Sequence, residues 1–165
     1  MKWSQIVGLA FLSSVFFCQA ANAANAKATD PNSFVAALQA KGYVANIDSD
    51  AQADPMIITA SGGLTVSIIF NGCERRSNCT YVKFVVSLKC DGVETECKAA
   101  IGNWQKEENF AGAVYLEEHK SLAMYHYMVT GVEGVSPDAV IGTIEYLMSD
   151  LRALESNIIA LKPRR

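Results

Sequence analysis

The stretch 64–88, LTVSIIFNGCERRSNCTYVKFVVSL, decides the fold of this chain. Its two arms, 64–70 and 81–88, each place an apolar residue at every second position, as strands with one buried face do. A polar loop, 71–80, joins the arms and carries Cys73 and Cys79 near its ends. The stretch is therefore predicted to form an antiparallel hairpin, which the rest of the chain extends or covers.

Helices and further strands are predicted on both sides of this hairpin. Capping residues and apolar stripes of helical period predict three helices, at 31–41, 94–108 and 137–162. Apolar alternation predicts four further strands, at 43–47, 56–60, 110–116 and 121–129. Runs of consecutive strands indicate an α+β fold, with an antiparallel sheet of about five to six strands packed by three helices. The predicted order is α-β-β-β-β-α-β-β-α.

The N-terminus has the layout of a secretory signal peptide. A positive start at Lys2 precedes an apolar run over 6–18, and Ala-Asn-Ala then occurs twice, ending at Ala23 and at Ala26. Residues 1–23 are predicted to be removed, with cleavage after Ala26 as the alternative. No later segment is long and apolar enough to insert stably into a membrane. We therefore expect a periplasmic or secreted protein with a single domain over 30–161.

The charge balance bears on the class of partner. The chain has 14 Lys and Arg against 17 Asp and Glu, a formal net charge of −3. A nucleic-acid partner would require a basic face, so none is expected.

Four cysteines follow the signal segment, and an even count in an exported chain predicts disulfide bonds. The second hairpin arm separates Cys79 from Cys90 by about 30 Å, whereas a disulfide needs Cα atoms within about 7 Å. The predicted bonds are therefore Cys73–Cys79 and Cys90–Cys97. The same separation excludes a four-cysteine zinc site. Neither pair has the Cys-x-x-Cys spacing of redox-active dithiols.

The two histidines offer little catalytic potential. His119 lies in a charged turn and is expected to be solvated. His126 alternates with Leu122 and Met124, which predicts a hydrogen-bonded side chain in or near the core. No motif marks a nucleophile, so we predict no catalytic residue, no metal and no cofactor. The alternative is a small periplasmic redox or hydrolytic protein that uses His126 or a labile disulfide.

Two pairs of residues are candidates for binding. Tyr125 and Tyr127 point away from the apolar side of their strand, onto a sheet face that is either exposed or covered by a helix. Arg75 and Arg76 lie at the hairpin tip, beside a predicted disulfide. The partner is predicted to be a protein or peptide, or a second copy of the chain in a homodimer.

Several short motifs resemble the YbjN domain family, which is described as a bacterial sensory transduction regulator. They are 54–57 (DPMI), 70–73 (FNGC) with 78–79 (NC), 103–106 (NWQK) leading to Phe110, 113–116 (AVYL) and 134–136 (GVS). Members of that family look similar to type III secretion chaperones, with helices packed against a curved antiparallel sheet. The resemblance implies a non-enzymatic regulatory or protein-binding module of the bacterial envelope, and it brings no catalytic residues.

Overall fold

A computed structural model describes residues 24–107 and 109–162 of the chain. The predicted signal segment 1–23 lies outside the described residues. The helices are α1 (Pro31–Ala40), α2 (Glu94–Trp104) and α3 (Pro137–Leu161). The strands are β1 (Asn46–Ser49), β2 (Pro55–Ser61), β3 (Leu64–Asn71), β4 (Tyr81–Lys89), β5 (Gly112–Leu116) and β6 (Ser121–Val129). This order confirms the predicted α+β class, with six strands and three helices.

The six strands form one antiparallel sheet in the order β1-β2-β3-β4-β6-β5. The first four strands follow one another along the chain, as a meander does. The chain then passes through α2, runs along the edge as β5 and returns as β6 between β5 and β4. The last strand in sequence thus becomes the direct neighbour of the central hairpin.

All three helices pack on one face of this sheet. The alternation in the hairpin is confirmed, because every second residue from Val66 to Phe70 and from Val82 to Val86 is buried on the helix side. Phe34 of α1 meets Phe70 edge to face, with ring centroids 5.4 Å apart. The predicted stripe of α3 is buried throughout, at Val140, Ile144, Leu147, Leu151, Leu154 and Ile158. Each large apolar side chain buried here contributes about 1.5–3 kcal/mol.

The first strand is displaced from its predicted position at 43–47. The Tyr43 amide donates to the Leu38 carbonyl and so belongs to the end of α1. Gly42 supplies the left-handed backbone there, with φ +83°. Val44 is exposed, and its carbonyl accepts the Thr59 hydroxyl at 2.8 Å. Regular pairing therefore begins only at Asn46.

The second helix ends at Trp104, earlier than predicted. Its last carbonyl accepts the Asn109 side-chain amide at 2.8 Å, and the Trp104 indole N–H donates to the Ala111 carbonyl at 2.8 Å. These two bonds turn the chain out of α2 and toward the sheet edge. Of the helices in the described part of the chain, none combines the length and apolarity needed to cross a bilayer.

Candidate binding face

The sheet face opposite the helices, here called the open face, is the candidate site. Its central members are apolar or aromatic and only partly buried: Met56, Ile58, Ile69, Tyr81, Val85, Val114, Tyr125 and Tyr127. Tyr127 is 50% exposed, and Val129 beside it is 71% exposed. Contiguous apolar surface of this kind is typical of sites that contact another molecule.

Three tyrosines and one lysine form a connected cluster on the open face. The register of β4 and β6 makes Lys83 the direct cross-strand partner of Tyr127. The Lys83 ammonium lies 4.7 Å from the Tyr125 ring centroid and 5.6 Å from that of Tyr127. The Tyr127 ring contacts Tyr125 at 5.6 Å and Tyr81 at 5.8 Å, both edge to face. Each cation–π contact contributes about 0.5–1 kcal/mol at an exposed site. These contacts stabilise the positions of the four side chains relative to one another.

Tyr81 and Lys83 were not identified as site residues from the sequence. The alternation of β4 does place both on the side away from the core, which was a usable signal. Their proximity to Tyr127 follows from the pairing of β4 with β6, strands separated in sequence by α2 and β5. Hydrophobic periodicity carries no information about that pairing.

The charged residues at the centre of the open face are cationic. Strand β4 contributes Lys83 and Lys89, and the Lys89 ammonium donates to the His119 carbonyl at 3.1 Å. The register of β3, β4, β6 and β5 places no carboxylate on this face. Asp48 lies opposite Met56 on the short edge strand β1, at the far side of the sheet.

Side chains of Trp104, Gln105 and Asp150 occupy backbone groups at the beginning of the β5 edge of the sheet. The Gln105 side-chain amide donates to the Ala113 carbonyl at 3.1 Å, and the Trp104 indole N–H occupies the Ala111 carbonyl. The Ala111 amide donates in turn to the Asp150 carboxylate at 3.0 Å. Backbone groups that are already paired cannot template another strand. A partner strand added at this end of β5 would have to displace these bonds.

Arg75 and Arg76 form the tip of the hairpin, as predicted, and both are exposed. The Glu74–Ser77 bridge makes them the two central residues of a tight turn, with φ values of +51° and +65°. Positive φ at both central positions is the requirement of a type I′ turn, which glycine or asparagine usually meets. The tip projects beyond β3 and β4 at the Tyr81 end of the open face, and the two arginines are separate from the tyrosine–lysine cluster.

His126 lies on the helix side of β6, as its alternation predicted. Its Nδ1 is 3.1 Å from the Phe110 carbonyl, and its ring stacks on Phe110 with centroids 3.9 Å apart. Phe110 in turn contacts Tyr146 of α3 at 5.3 Å. Phe110 therefore connects His126 of β6 with Tyr146 of α3. His119 is exposed in the turn after β5, as expected.

Both predicted disulfides are present. Cys73 is bonded to Cys79, and Cys90 is bonded to Cys97. Cys79, Cys90 and Cys97 are almost fully buried, while Cys73 is partly exposed. Exchange requires a thiolate to reach a sulfur, so burial protects the second bond in particular. Two such bonds fit an oxidising or extracellular compartment.

Within residues 24–107 and 109–162, no group of three or more His, Cys, Asp or Glu side chains is placed to hold a metal ion. A groove of about 410 Å³ lies between the ends of α2 and α3, lined by the exposed Asn103, Lys106, Glu107 and Asn157 together with Ala160 and Leu161. The charged residues of that lining are exposed rather than enclosed in a pocket, so the groove has no features of a built ligand site.

Comparison with known proteins identifies no similar protein. No family model matches the chain, and no match is found among curated proteins or among solved structures. The open face and the disulfide-locked hairpin are therefore the features from which a function can be argued.

Proposed function

We propose that this chain is a non-enzymatic binding module that accepts a protein or peptide on its open face. The observation that carries the proposal is the cluster of Tyr81, Lys83, Tyr125 and Tyr127 on a sheet face against which none of the helices α1, α2 and α3 packs. Tyrosines that are fixed by their neighbours supply contact area with little loss of side-chain entropy, and they are enriched at interface hot spots.

We further propose that the module works in the periplasm or outside the cell. The two disulfides support an oxidising environment. The layout of the first 23 residues, with a positive start, an apolar run and an Ala-Asn-Ala end, supports export.

The resemblance to the YbjN family supports a regulatory role for the module in the bacterial envelope. Two residues of the motifs shared with that family, Trp104 and Gly72, have clear structural roles. Trp104 ties the end of α2 to the sheet edge, and Gly72 has φ +64° where an added Cβ would meet the Thr80 hydroxyl oxygen at 2.8 Å. Both positions serve the scaffold rather than the open face.

The proposal is tested by site-specific photo-crosslinking in cells that make the protein. A photoreactive amino acid at Ser87, which is exposed on the open face, should give a discrete adduct with one other polypeptide. The same amino acid at Glu155, exposed on α3, is the matched control and should not give that adduct. Adding Tyr127→Ala to the Ser87 chain should remove the adduct, because half of that ring is exposed for contact.

Three results would contradict the proposal. They are the absence of any adduct from Ser87, equal adducts from Ser87 and Glu155, and an adduct that survives Tyr127→Ala. An adduct between two copies of the chain would indicate a homodimer through this face in place of a separate partner.

A further inference from the structure

The open face also indicates the chemistry of its partner. We infer that the partner presents an acidic segment, with a carboxylate that binds the Lys83 ammonium and apolar or aromatic side chains that pack on Tyr81 and Tyr127. This inference rests on the proposed function, since it names the class of polypeptide that the open face accepts.

The first argument concerns the state of Lys83. The ion pairs within the described residues join Lys41 to Asp138, Lys98 to Glu117 and Lys120 to Glu94, and Lys83 takes part in none of them. Its ammonium is held against two aromatic rings, and an ammonium carries three hydrogen-bond donors that ring faces satisfy only weakly. A ligand carboxylate would give these donors a charge-assisted bond at a position that the rings have already fixed.

The second argument concerns the distribution of charge. The chain as a whole is acidic, with a net charge of −3, yet β3, β4, β6 and β5 carry no carboxylate on the open face and β4 adds two lysines. Beyond the Tyr81 end of the sheet, the hairpin tip carries Arg75 and Arg76 with Glu74 beside them, a net positive charge. An acidic segment lying along β4 would meet Lys83 and Lys89, whereas a basic segment would meet like charge on that strand.

The third argument separates this partner from a second copy of the chain. A homodimer with a two-fold axis is isologous, so each residue near the axis faces its own copy. An axis over the cluster would therefore bring Lys83 toward the partner's Lys83, with no carboxylate on these strands to neutralise either one. A separate acidic polypeptide avoids that repulsion.

The test is selection from a phage-displayed library of random peptides against the purified protein with both disulfides formed. Peptides that bind the wild type but not Tyr127→Ala define the binders of the open face. We expect these binders to be enriched in Asp and Glu next to aromatic or branched apolar residues. Binding of a synthetic peptide made from the selected sequence should weaken at least tenfold in Lys83→Met, because the charge is lost while the apolar stem still covers the rings.

Two further variants sharpen the result. Lys83→Glu should reverse the preference and select basic peptides. Lys162→Met, which removes an exposed lysine at the end of α3, is the matched control and should bind like the wild type. Circular dichroism confirms that each variant is folded.

The outcomes separate the two proposals. If selection yields no binder that depends on Tyr127, the proposed function fails and the acidic partner fails with it. If binders depend on Tyr127 but lack acidic residues, or bind Lys83→Met as tightly as the wild type, the open face is a binding site and the acidic partner is wrong.

Discussion

The Tyr125 ring lies directly over Gly112, its cross-strand partner on β5. A Cβ placed on Gly112 would come within 2.6 Å of Tyr125 Cζ and within 2.9 Å of its hydroxyl oxygen. The glycine therefore makes the space that the tyrosine occupies, and Tyr125 is fixed by the sheet. Tyr127, two residues further along β6, has no glycine opposite it on β5 and is half exposed. The two tyrosines thus differ in role: Tyr125 positions the cluster, and Tyr127 is available for contact.

Gly112→Ala should accordingly displace Tyr125 and disturb the cluster from the opposite strand. Overpacking of this kind destabilises a protein by about 1–3 kcal/mol, and the chemical shifts of Tyr125 and Tyr127 should move together. Urea denaturation and NMR spectra of the aromatic side chains measure the two effects.

Gly142→Ala is the matched control for this substitution. Gly142 lies within α3, and a Cβ there would meet nothing within 4 Å. That variant should gain up to about 1 kcal/mol from helix propensity and leave the tyrosine signals unchanged. Unchanged Tyr125 signals in Gly112→Ala would contradict the proposed positioning role.

The sequence predicted the scaffold well because its strands and helices carry strong local signals. Capping by Asp30 and Ser136, the Gly62-Gly63 turn and the period-two alternation of β3 each depend only on nearby residues. The displaced strand at 43–47 arose because the end of α1 extends to Tyr43 by a backbone hydrogen bond that apolar pattern cannot reveal.

Only part of the candidate site could be read from the sequence, and the physical reason is a different one. Tyr125 and Tyr127 were found because alternation within one strand gives the face of each residue. Lys83 was missed because its contact with Tyr127 depends on the pairing of β6 with β4. These strands are not consecutive in the sequence. Strand order in a sheet is a tertiary property, set by how α2 and β5 pack.

The two disulfides should differ in their resistance to reduction. Under native conditions a dithiol reductant should open Cys73–Cys79 first, because Cys73 is partly exposed while Cys90 and Cys97 are both buried. Alkylation followed by mass spectrometry gives the order of opening. Rapid native reduction of Cys90–Cys97 would instead favour the alternative of a labile, redox-active bond.

Removal of either disulfide should lower the free energy of unfolding. Each closes a short loop, for which the chain-entropy relation gives about 2 kcal/mol. Replacing Cys73 and Cys79 by alanine should lower stability by about that amount. Replacing Cys90 and Cys97 should lower it further, since two buried sulfur atoms leave unfilled space in the core.

Glu94 should contribute a pH-dependent part of the stability. Hydrogen bonds from its own backbone amide and from Gly92, at the start of α2, together with the nearby Lys120 ammonium hold the pKa of its carboxyl below the usual 4.5. A carboxyl whose pKa is lowered by folding stabilises the protein above its unfolded pKa, and that contribution is lost as the pH falls through the folded value.

The measurement compares wild type with Glu94→Gln in urea at neutral pH and at about pH 3. The wild type should be the more stable of the two at neutral pH, and the difference should shrink on acidification. All other carboxyl groups titrate in both proteins and cancel from the comparison. A difference that is constant with pH, or an NMR titration of Glu94 at or above 4.5, would contradict the assignment.

The contacts of Ala26 and Ala28 distinguish between the two predicted cleavage sites of the N-terminal segment. Ala26 is fully buried and exchanges two backbone hydrogen bonds with Val135, at 2.8 and 2.9 Å. The Ala28 amide donates to the Thr130 hydroxyl at 2.9 Å, and a Cβ on Gly134 would come within 2.7 Å of the Ala26 carbonyl oxygen. These contacts pin the connection between β6 and α3. Cleavage after Ala26 would remove the two Ala26–Val135 bonds, although the Ala28–Thr130 bond would stay, whereas cleavage after Ala23 keeps all of these contacts.

We therefore expect the exported protein to begin at Ala24, which its intact mass would establish. A recombinant chain that begins at Lys27 should be less stable than one that begins at Ala24 by about 2 kcal/mol, because the Val135 amide and carbonyl lose their partners. Asn25→Ala in the longer chain is the control, since it removes only the exposed side-chain bond to the Glu133 carbonyl and should change stability little. Equal urea midpoints for the two chains, or a mature protein that begins at Lys27, would show that the Ala26–Val135 bridge is dispensable for the fold.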